Sequence, residues 1–135
     1  MIRWLCAFAM LTAMACSCAT SPTASDDWIV MGRYYIEAPP EYEEWYAQVE
    51  ECLGQRGLFE AVQWYAASEI VSRFHTNFEG IPLAAHGIIV LPNTIVIRRR
   101  DLRRATTIRH ESVHHILQDL SHDHPRFGIC SELTF

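Results

Sequence analysis

Residues 102–120 contain neither glycine nor proline. Leu102, Ala105, Ile108, Val113, Ile116, Leu117 and Leu120 recur along them at the three- and four-residue spacing of one helix face. Asp101 just before them is a natural N-cap. The rest of the chain has to fold around this helix. It also carries the string Arg109-His110-Glu111-Ser112-Val113-His114-His115. His110 and His114, four residues apart, project from one helix face and can grip a single ion, whereas His115 points roughly 100° away and is expected to pack.

Glu111 lies between the two histidines in sequence, where a carboxylate can reach a metal-bound water without ligating the ion. This pattern is the one that a zinc hydrolase requires. The expectation is a zinc-dependent metallopeptidase, with Zn2+ held by His110 and His114, Glu111 as general base, and a peptide or protein as substrate. A third protein ligand must lie downstream, where His122, Asp123, His124 and Glu132 are available. A helix ending near Ser121 and a short turn could fold His124 back over the histidine face, with Pro125 stiffening it. His124 is therefore the expected third ligand, with Glu132 and His122 as alternatives.

The flanking segments set the fold class. Residues 41–53 read as a helix, with Tyr42, Trp45, Tyr46, Val49 and Leu53 on one face, acidic residues in the first turn and Gly54 at the end. Residues 59–67 read as a strand with Val62, Trp64 and Ala66 on one side. Residues 28–37 alternate loosely, and residues 68–83 do not separate loop from helical turn. The β-branched runs 87–91 and 94–98, joined through Pro92-Asn93, signal a hairpin whose edge could receive an extended peptide. Two helices with a small, mostly antiparallel sheet make an α+β domain.

The first residues speak to location. Arg3 precedes an apolar run from Leu5 to Ala15 that is too short to span a bilayer and reads as a signal peptide over residues 1–15. The small residues ahead of Cys16 fit lipidation at that cysteine. Residues 16–27 then have the composition of a flexible tether, leaving 28–135 as the folded domain. The expected location is the cell envelope, membrane-anchored through the lipid, with plain secretion as the alternative. In an oxidising compartment Cys52 and Cys130 are expected to pair as a disulfide.

All basic residues are Arg, and a net charge of -5 argues against a nucleic-acid partner. The cluster Arg98, Arg99, Arg100, Arg103 and Arg104 is expected to be mainly solvated surface, with an anion-binding patch as the alternative.

The string His110 to His114, His124-Pro125, the late Cys130, and the stretches Trp45-Tyr46 to Cys52 and Val62 to Tyr65 together resemble small bacterial lipoprotein-like zincins, a group of HExxH metallopeptidases. That resemblance implies a minimal zincin-like fold with an active-site helix, His124 as third ligand and a Cys52 to Cys130 bridge. The competing expectation is a non-catalytic envelope lipoprotein that uses the same histidines for a structural zinc site, or that serves to bind a partner.

Overall fold

The computed structural model describes residues 24–133. The expected signal segment, the lipidation position Cys16 and the tether up to residue 23 lie outside the described residues. Among the described residues the architecture is α+β, with three α-helices and two mostly antiparallel sheets. A 3-10 turn at Ala24–Asp27 leads into β1 (Trp28–Met31) and β2 (Tyr34–Tyr35). Helix α1 (Pro40–Leu53) follows, then β3 (Gln63–Ala67), β4 (Glu69–Thr76), β5 (Pro82–Ala84), β6 (Gly87–Val90) and β7 (Thr94–Arg98). Helices α2 (Ala105–Leu117) and α3 (Phe127–Ser131) complete the order.

The central sheet runs β2-β3-β7-β6, with β3 and β7 parallel and the other pairs antiparallel. Period-two alternation gives this sheet two apolar faces. On one face Trp64, Ile89, Ile95 and Ile97 meet Tyr42, Tyr46 and Val49 of α1, Ile108, Val113 and Ile116 of α2, and Phe127 of α3. On the other, Ala67, Ile88 and Val96 join Ile70, backed by Trp28 and Val30 of the second sheet, whose order is β1-β4-β5. The hairpin expected at residues 87–98 forms as β6 and β7, with Ile88 opposite Val96 and Ile89 opposite Ile95. Residues 68–83, ambiguous in sequence, become β4 and β5.

Cys52 at the end of α1 and Cys130 in α3 are bonded, with Cα atoms 5.6 Å apart. The bridge clamps the short α3 to the first helix and seats Phe127 in the core. Two local expectations are corrected. Asp101 does not cap α2, whose first turn follows Arg104 without a side-chain cap. Asp101 is instead buried in a 3-10 turn, where Arg98 Nε donates to its Oδ2 at 2.6 Å. Arg98 is therefore not solvated surface either: 6% exposed, it is held inside the fold by this ion pair.

A candidate three-histidine metal centre

Helix α2 ends earlier than its sequence suggests, and this decides the make-up of the site. Gln118 adopts a left-handed conformation with φ of 50°, closing the helix after Leu117. The chain reverses there. The Asp119 carbonyl comes back to His114, whose Nδ1 donates to it across 2.7 Å. That hydrogen bond fixes the imidazole tautomer and leaves Nε2 of His114 as the free donor atom, an arrangement typical of metal-ligating histidines.

The reversal carries His122 over the face of α2. His122 Nε2 and His110 Nε2 lie 3.2 Å apart, and one ligand atom from each of His110, His114 and His122 falls within 4.8 Å of the others. Phe127 floors the group, its ring centroid 5.0 Å from His110, 4.7 Å from His114 and 4.6 Å from His122. Exposure rises from buried His114 through half-buried His110 to exposed His122. Burial, reinforced by the neighbouring His114 and His122, lowers the His110 pKa to about 4. Burial also lowers that of His114, against the opposing pull of the Asp119 carbonyl. Both rings are thus neutral at neutral pH, the form in which imidazole binds a metal. The cluster can coordinate a divalent cation.

The histidine that joins His110 and His114 in the cluster is the alternative His122, and not the expected His124. With α2 closed at Leu117 the chain turns back earlier than expected, and His122 reaches the ligand face first. His124 is engaged elsewhere: its Nδ1 accepts the Arg126 N–H at 3.2 Å and its carbonyl accepts the Phe127 N–H at 2.9 Å, starting α3. Glu132, the other alternative, follows α3 and lies outside the cluster. His115 packs as expected. It is 3% exposed, its Nδ1 is 2.7 Å from Tyr46 Oη, and its Nε2 is 3.1 Å from Asn93 Oδ1.

Glu111 departs most from its expected role. It lies outside the donor cluster, 5% exposed, with its side chain against Gly87 of β6. A Cβ at residue 87 would stand 3.0 Å from Glu111 Cγ and 3.1 Å from Oε1, so glycine makes room for this carboxyl. Burial pushes the Glu111 pKa up to about 8. The reading of the chain as a zinc metallopeptidase is overturned, because the cluster is made of three histidines and does not include Glu111. The β6 edge is not bare either, since the turn at Ala24–Asp27 packs against it.

Two cavities flank the cluster. A cavity of about 160 Å³ touches His110, His114, His122 and Glu111. The second, about 390 Å³, shares His110, Glu111, Gly87 and Trp28 with the first and extends to His86 and Arg104.

Comparisons with protein-family models, curated proteins and solved structures give no match for this chain. The resemblance to lipoprotein-like zincins therefore has no family behind it and is set aside. What stands is a three-histidine cluster in an α+β domain closed by a disulfide.

Proposed function

We propose that the chain is a non-catalytic metal-binding protein of the cell envelope, in which His110, His114 and His122 hold one zinc ion that ties the segment after α2 to the helix. The observation that carries this reading is the convergence of three imidazoles, one of them oriented by the Asp119 carbonyl. Zinc favours such neutral nitrogen donors at about 2.0 Å, and two of them on one tetrahedral ion stand roughly 3.3 Å apart. The 3.2 Å between the His110 and His122 nitrogens agrees with that spacing. Bound there, the ion would supply a fixed positive charge and cross-link the segment after α2 to the helix.

Export is part of the proposal. The Cys52–Cys130 bridge supports it, because such bonds persist in oxidising compartments. Anchoring through a lipid on Cys16 is proposed with it. The test is elemental analysis of the purified full chain after equilibration with Zn2+ and desalting, together with its melting temperature. One zinc per chain, and a melting temperature that falls on chelation, is the expected result. A folded, oxidised chain that retains no zinc contradicts the proposal.

A further inference from the structure

Three imidazoles leave at least one position open on a four-coordinate ion, and the larger neighbouring cavity has chemistry suited to filling it. Arg98 occupies Asp101 Oδ2 at 2.6 Å, while Arg104 stands 3.7 Å from Asp101 Oδ1 with its side chain 54% exposed. Its Nη1 also lies 3.4 Å from His86 Nδ1, which leaves Nη2 and Nε of Arg104 for another acceptor. It precedes α2, six residues before His110, which puts the two Cα atoms about 9 Å apart along the helix axis. No side chain caps the first turn of α2 between them.

Two polar side chains of largely buried residues line the same cavity, and no hydrogen bond or ion pair joins them to another described residue. They are Thr107, 6% exposed, and Glu111, 5% exposed. The sealed polar atom without a partner among the described residues is Trp64 Nε1, so the Thr107 and Glu111 oxygens are open to the cavity, where a polar ligand can reach them. Glu132, exposed on the rim, is the opposing charge. At about 390 Å³ the cavity falls in the range of small-molecule sites.

We infer that this cavity binds a small dicarboxylate, one carboxylate pairing with Arg104 and the Thr107 hydroxyl, the other facing the three-histidine centre beside Glu111. The inference rests on the metal reading, since the second carboxylate supplies the donor that the histidines leave out. It also accounts for Arg104 as the member of the arginine cluster that serves binding, while Arg98 serves the fold and Arg100 lies 3.7 Å from Glu69 on the surface.

The test is calorimetric titration of the zinc-loaded full chain with succinate, with zinc content measured on the same samples. Binding at one succinate per chain is expected, absent from the zinc-free protein and weakened at least tenfold in Arg104→Gln. Thr107→Val should weaken it several-fold, and Arg100→Gln should leave it unchanged. Equal affinity in Arg104→Gln and wild type overturns the site, as does tighter binding of inorganic phosphate than of succinate. One zinc per chain with no succinate bound overturns this inference alone, whereas a chain that takes up no zinc overturns the metal reading beneath it. Circular dichroism of the Arg104→Gln protein separates lost binding from lost fold.

Discussion

The ring of His122 approaches that of His110 with the two Nε2 atoms 3.2 Å apart, although the residues lie on opposite sides of a chain reversal. Two imidazole nitrogens at that distance share either a proton or a cation. The left-handed Gln118 makes the approach possible, and its side chain supports the turn by donating to the carbonyls of Pro92 at 2.9 Å and His115 at 2.7 Å.

The disulfide should matter to the site as well as to the fold. Cys52 and Cys130 are separated by 78 residues, and on the chain-entropy model such a bridge stabilises by about 4 kcal/mol. Replacing both cysteines with serine should lower stability to urea by about 2–4 kcal/mol. It should also weaken metal binding, because Phe127, which floors the histidines, lies in the helix that the bridge holds down. Unchanged metal affinity in the serine variant would show that α3 stays in place without the bridge.

Gly87→Ala should destabilise the chain by about 1–3 kcal/mol, the usual cost of overfilling a packed site. The added methyl would meet Ile97 Cδ1 at 2.9 Å and Glu111 Cγ at 3.0 Å. In a Glu111→Ala background the loss should be smaller, since one of the two colliding side chains is gone. A double-mutant cycle by urea denaturation reads the difference, and strict additivity would mean that Glu111 does not press on residue 87.

Asp101 gives the fold a dependence on acid. Its burial would raise the carboxyl pKa, but the hydrogen bonds from Arg98 and His86, and their charges, outweigh this and hold it below the ordinary 3.8. A depressed folded pKa means that the unfolded chain binds the proton more readily, so the stabilisation is present above about pH 4 and is lost as pH falls through the folded value. Asp101→Asn should cost about 2 kcal/mol or more near neutrality, because it leaves the buried Arg98 without its counter-charge. The gap between variant and wild type should close at acid pH. A gap that stays constant from pH 7 to pH 2 would show that the charge of Asp101 contributes nothing.

Tyr46→Phe tests the packing role of His115. The Tyr46 hydroxyl lies 2.7 Å from His115 Nδ1, and both side chains are buried. Removing it should cost about 1–2 kcal/mol in denaturation experiments while leaving metal content unchanged, since His115 is no part of the donor cluster. Loss of metal in this variant would place His115 in the centre after all.

Much of this was legible because particular residues carry a strong local signal. The helix bearing His110 and His114 could be read from its apolar spacing, and the β6–β7 hairpin from its two β-branched runs. The pairing of Cys52 with Cys130 followed from the expected compartment. The third histidine was not legible in the same way, because it depends on where α2 stops. A glutamine taking a left-handed conformation leaves no mark in the pattern, unlike the glycine that closes α1 at residue 54. Strands β4 and β5 were hidden because Phe74 of β4 and Leu83 of β5 are exposed, as are Phe78 and Ile81 between the strands, which blurs the alternation of a half-buried strand. The burial of Arg98 could not be seen without its partner Asp101, nor that of Glu111 without the wall that β6 builds against it.

The central claim is that His122, and not His124, completes the centre. Cobalt(II) titration of the full chain, followed by its visible ligand-field absorption, tests it in wild type, His122→Ala and His124→Ala. The account predicts one tightly bound cobalt with strong tetrahedral bands in wild type and in His124→Ala, and an affinity lower by about a hundredfold in His122→Ala. Loss of the bands in His124→Ala with His122→Ala unaffected would contradict it.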